Sequence, residues 1–147
     1  LKSNDFIYLA QTDTTAGLLS KNPFKLNQIK GRNSYKPVLR EVDSLKTLKG
    51  IVRVPKHFKN QVRRLEKTTF IYHNSQAIRV VRERQHLGFL QHFGSLYSSS
   101  ANKTGDSFDY EQAFEMCDVL VIDSRGIFSS LPSKIFQINQ SKIKKIR

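Results

Sequence analysis

Apolar positions along the chain fall into short runs that switch between two periods. Residues 5–10 (DFIYLA), 68–72 (TTFIY), 77–81 (AIRVV) and 118–123 are brief, rich in aromatic or β-branched side chains and bounded by polar turn residues, which predicts strands. Shorter strands are expected from Lys36-Pro37 to Val42 and over 96–99, and a closing hairpin over 134–138 and 143–147. Between them, Phe24, Leu26 and Ile29 form an apolar side behind Asn22-Pro23, a capping residue and a first-turn proline. Lys30-Gly31-Arg32 ends that helix, with glycine as the exit. Ser44 caps a helix over 45–49, Phe58, Val62 and Leu65 set helical spacing over 57–66, and residues 84–93 and 109–116 predict two more helices. Residues 11–15 (QTDTT) read as a polar turn ahead of Gly17. Strands alternate with helices early and pair as hairpins later. The expected fold is therefore α/β, an open twisted mixed sheet with flanking helices, in a single domain over 1–147.

Composition narrows this picture. Hydrophobic residues at 38% and charged residues at 25% describe a globular chain of a size that fits one core. The strongest apolar run, 119–122, lies between Asp118 and Asp123 and is far too short for a bilayer span. Asn4 and Asp5 interrupt any apolar core at the start, so no secretory signal is expected. The lone Cys117 can neither pair internally nor hold zinc alone, and it reads as a buried structural thiol. These features predict a cytoplasmic protein with no membrane partner. Charge adds more: 25 Lys and Arg face 12 Asp and Glu, for +13. Between Lys46 and Arg84 there are eleven basic residues against Glu66 and Glu83. A field of that sign favours polyanions, either nucleotide phosphates or RNA.

The common signatures of nucleotide and metal chemistry are absent. The sequence has no Gly-rich loop followed by Lys-Ser/Thr, no dinucleotide fingerprint, no metal-binding helix motif and no nucleophile elbow. His57, His73, His86 and His92 stand singly and read as ordinary surface or partly buried residues. Four polar sets at strand ends remain: Thr12-Asp13-Thr14 before Gly17, Lys30-Gly31-Arg32 with Lys36, Thr69 with Arg79 on adjacent strands, and 98–102 (SSSAN) closed by Thr104-Gly105. Taken singly, each is an ordinary turn or helix end.

In this order the four sets resemble the YrdC-like family. Its members often read P-T-D-T-x-Y-G-L, K-x-R-x-x-x-K-P and T-S-A-N-x-S-G. The counterparts here are Thr12-Asp13-Thr14 with Gly17-Leu18, Lys30-Gly31-Arg32, Lys36-Pro37, and Ser100-Ala101-Asn102 with Gly105, and Ile146-Arg147 is similar to the closing I-x-R. The resemblance implies an open α/β sheet with a large, positively charged cavity. It also implies synthesis of threonylcarbamoyl-adenylate from ATP, L-threonine and bicarbonate, with release of pyrophosphate. The partner would be tRNA or the complex that transfers the threonylcarbamoyl group to tRNA. By the same resemblance, Lys30 and Arg32 are the catalytic cations. Lys30, Arg32, Lys36, Ser100, Asn102 and Arg147 bind ATP, Thr12, Thr14, Thr69 and Arg79 bind threonine, and Mg²⁺ arrives on the phosphates rather than on a protein metal site. The chain departs from the pattern at Gln11, Ala16 and Lys134. These departures leave a second reading, a non-catalytic relative that binds tRNA, double-stranded RNA or ribosomal precursors through its basic block. A third reading, use of carbamoyl phosphate as in the YrdC-like module of hydrogenase maturation proteins, lacks the zinc-finger-like cysteines of those chains.

Overall fold

A computed structural model describes residues 6–147. Asp5, where the first strand was expected to begin, and the Asn4–Asp5 pair lie outside the described residues. The fold is α/β, a mixed β-sheet architecture with flanking helices, and nine strands occur among the described residues. The chain divides into two compact units, residues 1–38 with 96–131, and residues 39–95 with 132–147.

The first unit is built on β1 (Tyr8–Gln11), β2 (Ala16–Ser20), β6 (Ser95–Ser100) and the short β7 (Val119–Leu120), flanked by α1 (Pro23–Ile29) and α5 (Tyr110–Met116). Strands β1 and β2 form an antiparallel hairpin, β2 pairs antiparallel with β6, and β7 runs parallel to β1. All residues of β1 and β2 are buried, so both faces of this hairpin are covered. That explains why β2 shows no alternation, and why residues 16–20 (AGLLS) do not read as a strand in the sequence. Asn22 caps α1 by accepting from the Phe24 and Lys25 amides, Pro23 opens it, and Gly31 at φ +70° lets the chain leave. Leu26 from α1 and Ala113 and Met116 from α5 join Ile7, Leu9, Ala16 and Leu18 in one core.

Two expectations in this unit change. The run 118–123 is only the two-residue strand β7, half-buried, and Ile122 stands 76% exposed. The strand pairs with β1 over just Tyr8 and Leu9, so there is no ladder to continue it. Cys117 is half-buried rather than buried, its thiol donates to the Phe114 carbonyl, and burial is the main force raising its pKa.

The second unit holds β3 (Leu39–Val42), β5 (Ala77–Val80), β4 (Thr68–Ile71), β8 (Lys134–Ile138) and β9 (Ile143–Lys145), hydrogen-bonded in that order with alternating parallel and antiparallel pairings. Here the pleat separates two sets of side chains. Val42, Val80, Ile78, Phe70 and Ile138 form one core with Leu48 of α2 (Leu45–Lys49) and Val62 of α3 (Lys59–Arg64). The alternate residues Glu41, Arg79 and Thr69 are register partners across three strands and therefore share the other face. A 3-10 turn (Lys56–Phe58) leads into α3, and α4 (Arg84–Leu90) is capped by Glu83, which accepts from the Gln85 and His86 amides.

One glycine is set by close approach. A Cβ at Gly17 would lie 2.7 Å from the Thr12 Cγ2, 3.4 Å from the Ser99 carbonyl oxygen and 3.5 Å from the Ser98 hydroxyl. Gly17→Ala is expected to cost about 1–3 kcal/mol through overpacking. Urea denaturation should show this as a lower midpoint with an unchanged m-value.

Candidate functional site

The strongest assembly of functional groups in the first unit forms where α1 ends beside the end of β6. Lys30, the C-cap of α1, is 5% exposed. Its ammonium donates to the Ser99 hydroxyl at 2.8 Å and the Ser100 carbonyl at 2.7 Å, with the Ser100 hydroxyl at 3.3 Å. Thr104 donates from its hydroxyl to the Lys30 carbonyl, tying the loop after β6 to the helix end. Burial, then the nearby charges of Arg32 and Lys36, lower the Lys30 pKa to about 8. Arg32, two residues on, has Nε and Nη2 buried with no hydrogen-bond partner, and burial lowers its pKa as well. Buried guanidinium N–H groups are expensive unless they are paired. Lys30 is disfavoured by the charges of Arg32 and Lys36, and Arg32 has two nitrogens unsatisfied; an anionic ligand would relieve both. The donor set is cations and hydroxyls, which suits phosphate oxygens rather than a bare metal ion.

Other expected residues of this unit have structural duties. The Thr12 hydroxyl donates to the Thr15 carbonyl at 2.6 Å, accepts from the Thr14 amide at 3.1 Å, and lies 3.2 Å from the Thr14 hydroxyl. Thr12 thus shapes the β1–β2 turn. Asn102 donates to the Lys103 and Asp106 carbonyls and so closes its own loop. Lys36 is exposed, and its backbone carbonyl accepts from the buried Asn27 side chain.

Sequence reasoning missed the group that holds the first turn. Arg125 donates to the Thr12 and Gln11 carbonyls, both at 2.9 Å, and its guanidinium is paired with Asp123. Gln11 in turn accepts from the Phe128 amide at 2.8 Å. A lone Arg in a Ser-Arg-Gly turn carries no signal of this. Gln11, which stands at a departure from the family pattern, is here an anchor for the 123–130 segment.

In the second unit, Thr69 lies directly opposite Arg79 on the neighbouring strand. Thr69 shares a hydrogen bond with the Ser133 hydroxyl at 2.8 Å, and Arg147 donates to the Ser133 carbonyl at 3.0 Å. Burial and, after it, the charge of Arg79 lower the Arg147 pKa. Arg79 is paired with the fully buried Glu41 at 3.0 Å, and the other Glu41 oxygen is hydrogen-bonded to His86 Nε2. The structure therefore buries His86, read from the sequence as surface or partly buried, because Glu41 gives its ring a partner at the start of α4. Its Nδ1 is buried without one. Removing one member of a buried charge pair leaves the other uncompensated. Glu41→Ala should destabilise the fold by roughly 3–5 kcal/mol, a loss that a thermal or denaturant melt would read directly.

No family model and no curated protein matches the chain in sequence. Solved structures do match in shape. P. abyssi Sua5 superposes with a TM-score of 0.78 at 14% identity, covering 99% of this chain and 53% of its own. E. coli YciO gives 0.76 at 14% identity, covering 97% of this chain and 82% of its own. Full-length HypF in its phosphate- and nucleotide-bound form gives 0.74 at 15% identity over 97% of this chain and 27% of its own. The chain thus spans about half the length of the Sua5 structure it matches. It has the YrdC-like fold shared by Sua5 and YciO, at identities that mark it as divergent.

The titration of Lys30 gives a direct check. Its charge is complete below about pH 8 and is lost as pH rises through that value. Binding of inorganic pyrophosphate, followed by calorimetry, is expected to weaken across that range. Lys30→Arg, which stays charged, should flatten the profile. Folding lowers this pKa from 10.5, so the unfolded chain holds the proton between about 8 and 10.5. The unliganded fold should therefore gain stability as pH rises through that window, and Lys30→Met should not show the gain.

Proposed function

We propose that this protein is an L-threonylcarbamoyl-adenylate synthase acting in tRNA modification. The observation that carries the reading is the buried Lys30 ammonium beside Arg32, whose guanidinium has two buried, unpartnered N–H groups. The neighbours lend support of their own. Sua5 has been solved with L-threonine and HypF with phosphate and nucleotide.

The chemistry asks for what this site offers. Threonine's amine and bicarbonate condense to a carbamate with loss of water. A carbamate oxygen then attacks the α-phosphorus of ATP, forming the mixed anhydride while the bond to pyrophosphate breaks. The nucleophile is already an anion, so neither serine nor histidine has to activate it. Catalysis is then positioning and neutralisation of charge as it moves to the leaving pyrophosphate. In this reading Lys30 and Arg32 grip the phosphates, Arg32 through its fork of donors, and the Ser100 hydroxyl completes the cradle. The triphosphate oxygens, rather than protein residues, would hold Mg²⁺, which would supply shielding of their charge. Thr14 is assigned to threonine. Thr12 and Thr69 act by shaping the turn and strand beside them.

The test is pyrophosphate release from ATP with and without L-threonine and bicarbonate. Release should require both, and Lys30→Ala/Arg32→Ala should lower it by at least about a hundredfold, the scale of losing donors aimed at developing charge. Release indifferent to threonine, or none at all with ATP still bound, would remove the synthase reading.

A further inference from the structure

Charge along the chain is segregated. Residues 1–38 and 96–131 hold eight Lys and Arg and eight Asp and Glu, whereas residues 39–95 and 132–147 hold 17 and 4. The excess of 13 therefore lies wholly in the second unit, and the first is neutral in sum. Within the first unit the acids gather in turn. Asp106, Asp109, Glu111, Glu115, Asp118 and Asp123 fall between Lys103 and Arg125 with no Lys or Arg among them. Half of the acids of the protein thus lie in and around α5.

The helix α5 has two sides. Ala113 and Met116 are buried in the core of its unit, which fixes what the outer side carries. Tyr110 and Phe114, four residues apart, are 44% and 51% exposed and lie stacked with ring centroids 6.2 Å apart. Glu111 and Glu115, again four apart, are exposed beside them. Neither glutamate is paired with a cation among the described residues. The isolated helix gains nothing from this arrangement. Like charges at that spacing repel, and each half-exposed ring leaves apolar area in water.

The complementary face is on the same chain. Helix α3 buries Val62 and leaves Lys59, Arg63 and Arg64 exposed, with exposed Lys56 and Lys67 on either side. None of these cations is paired with a carboxylate among the described residues; Arg63 donates to Asn60. Lys59 and Arg63 are four residues apart, as Glu111 and Glu115 are, so both pairs repeat at about 6 Å along their helices. Cations in that register meet the two carboxylates by charge and the faces of Tyr110 and Phe114 by cation–π attraction.

We propose that the outer face of α5 is an interface for a second copy of this protein, which presents its α3 face to it. A contact between unlike faces is heterologous. Each pair of copies keeps one α5 and one α3 uncovered, so association continues head to tail past the dimer. The charge distribution selects this arrangement. A contact between two second units would set one excess of 13 against another, whereas α5 belongs to the neutral unit and is acidic where it meets α3. Helices of six and seven residues make a small interface, so the association is weak and reversible. Neither Lys30 nor Arg32 takes part, and the inference stands apart from the adenylate-forming reading.

Sedimentation equilibrium of the full chain tests it, at about 0.1 M salt, where repulsion between copies is screened beyond about 10 Å. The weight-average mass should climb with concentration past that of a dimer and fall back toward that of the monomer at about 1 M salt. Glu111→Gln/Glu115→Gln and Lys59→Gln/Arg63→Gln should each weaken self-association at least about tenfold. An equimolar mixture of these two variants should re-form one contact, the intact α3 of the first on the intact α5 of the second, and stop at the dimer. Glu111→Lys/Glu115→Lys combined with Lys59→Glu/Arg63→Glu in one chain should recover the self-association that either reversal alone abolishes. Lys142→Gln/Lys144→Gln removes the same charge from another exposed stretch of the second unit and should not weaken association. A wild-type chain that stays monomeric, a mass that levels at the dimer, association that strengthens at high salt, or a mixture no heavier than its separate components overturns the proposal. Pyrophosphate release plays no part in this readout, so the two readings fail separately.

Discussion

The arrangement of the first unit turns on one buried ammonium. Lys30 is nearly inaccessible to water, and a lysine in that position is tolerable only if oxygens replace its hydration. Ser99 and Ser100 supply them, but only because α1 stops where β6 ends. Asn22 and Pro23 fix where the helix begins, and Gly31 fixes where it can turn away. The β2–β6 register places Ser99 beside Leu18, a member of the core that also receives Leu26 from α1. Cap, core and register thus converge on the position of a single nitrogen. What they leave uncompensated is the inner side of Arg32, whose Nε and Nη2 are buried without hydrogen bonds.

Positive charge in this protein comes in two physical forms. At Lys30 and Arg32 it is sparse, buried and partly unpaired, so each charge acts strongly over a short range on a small anion. On the outer surfaces of α2 and α3 it is dense, exposed and screened by salt, so each charge acts weakly and over no more than about a Debye length. Composition reports only the sum. Separating the two forms needs the burial of each side chain, and the result assigns them to different units of the chain.

Much of the fold was legible because local chemistry and tertiary packing agree. Asn22-Pro23 and Ser44 cap the helices expected of them, and Gly31 marks the exit of the first at positive φ. In the second unit Thr69 and Arg79 could be placed on adjacent strands because two β-rich runs, 68–72 and 77–81, are joined by a short polar turn, and the structure pairs the two residues directly. Residues 16–20 were missed because a hairpin covered on both faces has no alternation to read. The run 118–123 misled in the opposite sense, since high β-propensity does not make a long strand where the segment stays in register with its neighbour over only two residues. At the site, Lys30 and Arg32 were visible as a spaced pair. The clamp from Arg125, and the burial of His86 by Glu41, rest on contacts between residues far apart in sequence and left no local trace.

Glu41 shows how an ion pair can matter more for geometry than for stability. Burying Glu41, Arg79 and His86 costs desolvation that their mutual attraction only partly repays, and an apolar trio of similar volume would often fold as well. What the polar trio adds is direction. Register sets Arg79 between Glu41 on one strand and Thr69 on the other, and the Glu41 carboxylate takes one guanidinium nitrogen while His86 takes its second oxygen. The carboxylate cannot rotate without breaking one of those bonds, so the guanidinium plane cannot rotate freely either. An arginine on a strand ordinarily samples many rotamers. This one is restrained by a carboxylate that is itself held on both of its oxygens.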